Sequence, residues 1–395
     1  MNKKLIALAV AGACAAPAAM AQTTNPVTLY GLVYVALETV EATGGAAPLI
    51  RRNRVADQSS LLGVRGTEDL GGGLKAFFQL ETGFKPDENN TTFAARNSAV
   101  GLQGGFGSVL LGRWDTPFKT TTTTIDPFGD RTIGGIQAGA QGSGQISNPS
   151  GNSATSPNGG YDGFDRRDQN VIQYWSPNWG GLAVRLSYAA NELKNSATGI
   201  NPSAEGASVT WTGGPVYVGV AYDELKDFRP TFVYTAPVAM ATGAVVAKQK
   251  GSAVFGTFTF GPVKLGALYE EFKRGSPSII NATAGTVTGF SKQKSWLGNV
   301  AWTFGNNMLM YQYSNSKDGG PTFVTSATVL ARGEPDCKVH SVGYRYNFSR
   351  RTFFIGQYIR VDNNDQSVCN FGSNRLAITP GQDPHGVALG VSHSF

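Results

Sequence analysis

Residues 59–84, SSLLGVRGTEDLGGGLKAFFQLETGF, alternate their side chains on either side of a Glu-Asp-Leu-Gly-Gly-Gly turn. Leu62, Val64 and Gly66 take one parity and Leu61, Gly63 and Arg65 the other. After the turn, Leu74, Ala76, Phe78 and Leu80 oppose Lys75, Phe77, Gln79 and Glu81. Period-two alternation puts these sets on opposite faces of a β-hairpin, one greasy and one largely charged. The last stretch repeats the pattern: HGVALGVSHSF sets Val387, Leu389, Val391, His393 and Phe395 against Gly386, Ala388, Gly390, Ser392 and Ser394. A soluble edge strand would leave that apolar row in water, whereas in a bilayer it meets lipid.

The rest of the chain divides into short reversals and long polar stretches in strict alternation. Reversals fall near 69–73, 104–107, 177–181, 213–215, 261–262, 305–307 and 348–351, most with Gly or Asn-Asn signals. Long loops fall near 38–58, 85–95, 116–166, 190–204, 226–249, 275–291, 317–336 and 364–384. Between them lie sixteen strands of about ten residues, the length a tilted spanning strand needs. Both chain ends fall on the short-turn side, so the first strand, VTLYGLVYVAL, can pair with the last. Closure is required because lipid offers no hydrogen bonds to a free edge. The pattern therefore predicts an all-β fold: a 16-stranded antiparallel transmembrane β-barrel with short periplasmic turns, long external loops and a water-filled lumen. Tyr30, Tyr34, Trp175, Trp179, Tyr344, Tyr346 and Phe395 lie near strand ends and suit aromatic girdles.

The N-terminus sharpens the compartment. Lys3 and Lys4, the apolar run from Leu5 to Val10 and Ala19-Met20-Ala21 read as a signal peptide over 1–21. Cys14 lies within it, but the preceding Ala-Gly-Ala is a poor lipoprotein box. The mature chain, 22–395, is expected to be a single barrel domain with 31 Lys and Arg against 27 Asp and Glu. No apolar run near twenty residues follows, which excludes a helical membrane span and leaves strands. A mean hydropathy of −0.16 fits a barrel with a wet interior, and 51 Gly with only 5 Met fits an all-β chain.

The stretches VTLYG (27–31), LGVRGTEDLGGGLKAFFQLETGF (62–84), AVGLQGGFGSVLLGRWDTPF (99–118), NVIQYWSPNWGGLAVRLSYA (170–189) and the terminal GVALGVSHSF resemble the trimeric general porins of Gram-negative outer membranes, in particular the β-proteobacterial and neisserial branch. The resemblance implies a third external loop, 116–166, folded into the lumen as a constriction, with the Asp126–Arg131 portion inside the barrel. It also implies three associated barrels, location in the outer membrane among lipid and lipopolysaccharide, and passive diffusion of small hydrophilic solutes and ions. Phe395 would be the C-terminal assembly signal for the barrel-assembly machinery. One departure is Ser60-Leu61-Leu62-Gly63, where family members commonly read Ser-Arg-Leu-Gly.

Selectivity in such a constriction is electrostatic. Parity turns Arg65, Lys75 and Glu81 towards the lumen. Arg96, Arg113 and Arg167 match places where the family carries wall-facing basic residues, although Arg113 shares the parity of Val109 and Leu111 unless a bulge intervenes. Asp115, Asp126 and Asp130 are the acidic counterparts, and Arg131 adjoins them. The expectation is a weak anion preference. Arg51-Arg52-Asn53-Arg54 falls in the first external loop, where it would attract anionic solutes or lipopolysaccharide or simply be solvated. Cys337 and Cys369 both fall on the outer side, as a disulfide or as two free thiols.

Other function classes find little. An enzyme barrel needs a nucleophile with a nearby base, and only His340, His385 and His393 supply imidazoles, none within a Ser- or Asp-centred motif. No His/Cys/carboxylate cluster has metal-ligand spacing, and the Gly runs at 71–73 and 104–107 lack the setting of a phosphate loop. No cofactor, metal or nucleic-acid partner is expected. A substrate-specific channel is the alternative reading; it would need aromatic residues in a row along the lumen.

Overall fold

The alternating segments pair into one closed antiparallel barrel. The computed structural model describes residues 27–45, 47–88, 91–129, 132–140, 164–190, 203–226, 248–275, 279–281, 285–287, 290–318, 322–324, 329–331, 336–365 and 367–395. The expected signal peptide, and Asp130 and Arg131, lie outside the described residues. The sixteen spanning strands are β1 (Thr28–Gly44), β2 (in two runs, Leu49–Asp57 and Leu61–Gly71), β3 (Leu74–Phe84), β4 (Ser98–Gly104), β5 (Gly107–Asp115), β6 (Arg167–Trp175), β7 (Leu182–Ala190) and β8 (Ser203–Gly213). The second half follows as β9 (Val216–Lys226), β10 (Lys248–Phe260), β11 (Val263–Gly275), β12 (Phe290–Phe304), β13 (Asn307–Asp318), β14 (Asp336–Asn347), β15 (Thr352–Asn363) and β16 (Gln382–Ser394). Each strand pairs with its neighbour, and β1 closes on β16 from Leu32↔Ser394 to Gly44↔Gln382. Gly31 and Phe395 exchange two backbone hydrogen bonds of 3.1 Å that finish the seam. No sheet edge is left to lipid there.

The tight turns sit where Gly and Asn signals place them. Gly214 and Gly261 take φ of +53° and +54° at two of them, a left-handed conformation that a Cβ would strain. The outer face is apolar throughout: Leu29, Leu37, Leu80, Val100, Leu111, Leu186, Val220, Val254, Leu265 and Val391 are all exposed. Water would not tolerate so extensive a surface, and lipid does.

One element differs from the expectation. In place of the expected 38–58 loop, β1 runs on to Gly44 and β2 begins at Leu49, paired with Ala42. Arg51-Arg52-Asn53-Arg54 therefore lies in β2, with Glu38↔Arg54, Thr39↔Asn53 and Val40↔Arg52 in register. Beyond the bilayer the apolar half of the alternation is no longer required, so the polarity signal fades while the hydrogen-bond ladder continues. The two runs of β2 are divided at 58–60, where the Asp57 carboxylate accepts the N–H groups of Ser59 and Ser60 and Ser59 takes φ +71°. The expected loops near 275–291 and 317–336 each contain a small hairpin, Ile279–Asn281 with Gly285–Val287 and Thr322–Val324 with Val329–Ala331.

The third loop enters the barrel. It opens with helix α1 (Pro117–Thr122), capped by the Thr116 hydroxyl, which accepts from the Lys119 N–H, and started by Pro117. A run of threonines is a poor helix former. Here the hydroxyls of Thr120, Thr121, Thr122 and Thr123 donate back to carbonyls four residues earlier, which satisfies them without solvent. Phe118, Ile125, Ile136 and Phe164 then pack on the inner faces of β9 to β12, against Ala221, Ala253, Phe255, Leu268, Phe272 and Leu297. Farther on, Phe128 seats against Ala301, Met310 and Ile355, and Ile133 against Val339, Ile359 and Val361. Inner-wall glycines make room: a Cβ at Gly343 would lie 2.6 Å from the Phe128 ring.

Candidate functional site: the lumen wall and the root of the third loop

The loop lies on β9 to β15 and on the middle of β1, so the passage is bounded by the loop, by the inner faces of β2 to β8 and by the short-turn ends of the other strands, where Arg345 stands. Arg65, Lys75 and Glu81 all sit on the parity opposite the exposed Leu62, Phe78 and Leu80, hence on the lumen side. The Arg65 guanidinium lies over the Tyr30 ring, 5.0 Å from its centroid. Arg96 Nε donates to Glu81 Oε1 at 2.6 Å and Tyr30 donates its hydroxyl to Glu81 Oε2 at 3.1 Å. Glu81 and Arg96 therefore neutralise one another, whereas Arg65 faces no carboxylate at ion-pair distance among the described residues. Lys75 is exposed and stands across the hairpin from Asp69.

The two ends of the third loop meet in a charge cluster. The Asp115 carboxylate accepts from Arg167 at 3.0 Å and from Asn97 at 2.9 Å, and the Lys119 ammonium lies 3.2 Å from it. Lys119 also reaches Asp165 at 3.0 Å. Arg166 bridges Asp168 at 2.8 Å and Asp223 at 2.6 Å. Burial alone would push the Arg166 guanidinium down, but the two carboxylates outweigh it and hold it above the usual arginine range. Three cations, Lys119, Arg166 and Arg167, thus meet four acids, and the loop is clamped to β5, β6 and β9 at its root. Arg167 and Asp115, expected as opposed pore charges, are partners here.

Arg113 donates Nε–H to the Ala95 carbonyl at 2.8 Å. A register shift does occur beside it, but Gly112↔Val171 and Trp114↔Asp168 put the extra residue on β6, where Asn170 takes φ +52°. Arg113 accordingly keeps the parity of Leu111, while Trp114 packs inwards against Val171 and Ala189. Asp126 accepts the N–H groups of Phe128 and Ile136, both at 2.9 Å, and so folds the loop on itself.

Two lumen cations escaped the sequence reading. Arg185 of β7 lies over Trp175 at 5.2 Å, and Arg345 of β14 over Phe353 at 5.3 Å. Neither forms an ion pair among the described residues. Their signal was parity alone: Arg185 alternates with the exposed Leu182 and Leu186, and Arg345 with Tyr344. Three of the expected girdle aromatics also turn inwards. Tyr30 and Trp175 carry the lumen arginines, and Tyr34 is buried, accepting from Gln357 at 3.1 Å. Trp179 and Tyr344 are exposed on the outside. Cys337 and Cys369 are joined by a disulfide. Among the described residues no group of three His, Cys, Asp or Glu side chains could hold a metal ion.

The comparisons agree with this geometry. The Gram-negative porin family matches residues 7–366. The chain is 29% identical to outer membrane porin protein 32 of Delftia acidovorans, over the whole of both proteins. It is 40% identical to the major outer membrane protein P.IB of Neisseria gonorrhoeae over 132 residues, 32% of this chain and 36% of the other. Among solved structures, an anion-selective porin from Comamonas acidovorans superposes with a TM-score of 0.73 at 26% identity, covering 94% of this chain and 100% of the other. The closed barrel, the loop within it and the match along most of its length together establish that the chain belongs to the Gram-negative porin family, as an outer-membrane diffusion channel.

Proposed function

We propose that this diffusion channel passes small hydrophilic solutes and ions with a weak preference for anions, and that it works as a homotrimer. The observation that carries the preference is an imbalance in the lumen. The acids named from sequence, Glu81, Asp115 and Asp126, are engaged by Arg96, by Arg167 and Lys119, and by backbone N–H groups. Arg65, Lys75, Arg185 and Arg345 face the passage without an ion pair among the described residues. Unpaired cations on a low-dielectric wall attract counter-ions and slow co-ions. The anion selectivity named for the Comamonas acidovorans relative supports the same sign. No step of this passage makes or breaks a covalent bond.

Trimer formation is supported by the outer surface. From β16 through β1 to β5 it is aliphatic, with Leu29, Leu37, Leu62, Leu80, Val100, Leu111, Leu389 and Val391 exposed. From β6 to β15 the same face carries Tyr188, Trp211, Tyr222, Tyr269, Trp296, Trp302 and Tyr311, whereas the first arc exposes Phe78 and Phe395 but no Trp or Tyr within its strands. Amphipathic Trp and Tyr rings suit a lipid–water boundary, and a mainly aliphatic arc suits another barrel. Lipopolysaccharide is the partner proposed for the external rim, where Lys250, Lys273 and Lys292 point outwards beside Glu224 and Glu271. The C-terminal strand, ending on Phe395, is proposed as the part that the barrel-assembly machinery receives.

The test is a reversal potential across a planar bilayer in a KCl gradient. Displacement towards the chloride potential supports the reading. Displacement towards potassium overturns the charge assignment.

A further inference from the structure

We infer that residues 367–381, between β15 and β16, form a brace that sets the bore by holding the far part of the third loop against the wall. The inference rests on that loop being the constriction of the channel. The ion pairs at residues 115–119 and 165–168 fix the loop only at its root. Its far part, near residues 132–138, touches the wall at Gly134, whose N–H donates to Gln357 at 3.3 Å and whose carbonyl accepts from Gln312 at 3.4 Å, and something else covers it from the other side.

That something is anchored covalently. Cys369 is bonded to Cys337 at the start of β14, and its backbone exchanges hydrogen bonds with the Asn363 side chain at 2.9 and 3.0 Å. From this anchor the segment turns inwards instead of lying over the rim. Phe371 is fully buried, in one cluster with Ile133 and Ala138 of the third loop and Val339, Ile359 and Val361 of the wall. The Gly372 N–H donates to the Ile133 carbonyl at 3.0 Å. A Cβ at 372 would stand 2.5 Å from the Thr132 carbonyl oxygen, so the two backbones touch at a place only glycine fits. Beyond it, Asn374 donates to Glu38 Oε1 at 3.2 Å and to the Asp57 carbonyl at 2.8 Å, and Arg54 donates to the Asn374 carbonyl. The segment is therefore tied to β1, β2, β14 and β15 on one side and to the third loop on the other.

Ile133 and Ala138 are thus sandwiched between the barrel wall and the brace. Removing either layer leaves apolar surface of the loop in water and frees the loop to change its depth in the lumen. The cysteines, Phe371 and Gly372 are positioning residues in this arrangement; none of them meets the solute.

The experiment measures unit conductance in planar bilayers. It compares the wild type with Cys337→Ser/Cys369→Ser, Phe371→Ala, Phe371→Leu and Gly372→Ala. Only barrels that keep the unheated gel mobility of the folded wild type are compared. Cys337 and Cys369 are each 1% exposed, so the double variant is a surer way to remove the bond than a soluble dithiol. The double variant, Phe371→Ala and Gly372→Ala should raise unit conductance by about half and add current noise, while Phe371→Leu restores the wild-type level. Because the lumen arginines are untouched, the reversal potential should stay where it was. Should the double variant fail to fold, Gly372→Ala still tests the contact with the disulfide intact. Folded variants that all conduct as the wild type does would overturn the brace and leave the channel reading standing. Folded wild-type barrels that do not conduct at all would overturn the channel reading, and the brace with it.

Discussion

The inner wall of this barrel comes in two kinds. Along β9 to β15 it is covered, and small or apolar side chains such as Ala221, Ala253, Leu268, Leu297, Ala301 and Ile355 alternate there with buried polar ones such as Asn299, Gln312 and Gln357 that bond to the third loop. Along β2 to β7 it is polar and bare, with Arg65, Lys75, Gln79 and Arg185 facing water across the passage. Both use the same alternating backbone, and both show lipid an apolar outer face. The difference is what lies against them. A wall covered by protein is built like a protein core, and a wall covered by water is free to carry charge. The charge cluster at the root of the third loop is where one kind gives way to the other.

The contrast can be broken most severely at that root. Arg166→Ala would leave Asp168 and Asp223 buried without their cation, a loss of about 3–5 kcal/mol. It should show as a large fall in the temperature at which the folded barrel converts to the unfolded band on gels. Arg166→Lys, which keeps the charge but not the two-armed reach, should fall between. On the covered wall, Phe118→Ala or Leu297→Ala removes a buried side chain and should cost about 2–5 kcal/mol. On the bare wall, Gln79→Ala should stay within about 0.5 kcal/mol, because no core closes over it. Equal losses on the two walls would erase the distinction.

A smaller effect is expected at Asp126. Replacing it by alanine leaves the N–H groups of Phe128 and Ile136 without their acceptor, a cost of about 1–3 kcal/mol. Current noise should rise before stability falls. The smallest change in stability, and the largest in selectivity, belongs to the triple variant Arg65→Gln/Arg185→Gln/Arg345→Gln. Each arginine gives up an aromatic stacking contact worth about 1 kcal/mol or less. The reversal potential should move towards potassium, and a potential that stays in place would remove these three from the account.

How much of this was readable beforehand depends on which partner each residue has. The hairpin at 59–84 and the terminal strand were legible because lipid imposes alternation on every spanning residue, and every turn but the one at 348–351 announces itself with Gly or Asn. The first external hairpin was not. Glu38, Arg54 and Asn53 pair across strands outside the bilayer, where no apolar demand marks the strand. The lumen direction of Arg65, Lys75 and Glu81 was legible from parity, and parity also marked Arg185 and Arg345, whose surroundings read as ordinary strand. The neutralisation of Arg167 by Asp115, and the inward turn of Trp175 under Arg185, have no trace in local sequence.

The sequence by itself determined the sixteen strands, their register with lipid and the place of the long third loop. Those follow from rules that act residue by residue: the period of two, the backbone's need for hydrogen bonds in lipid and the conformations open to glycine. Which charges are paired and which stand without an ion pair among the described residues was settled by barrel closure, because an ion pair forms between groups that closure brings together. Asp223 meets Arg166 across 57 residues, and Phe371 meets Ile133 only once the barrel is round. No local pattern encodes a neighbour supplied by the opposite wall.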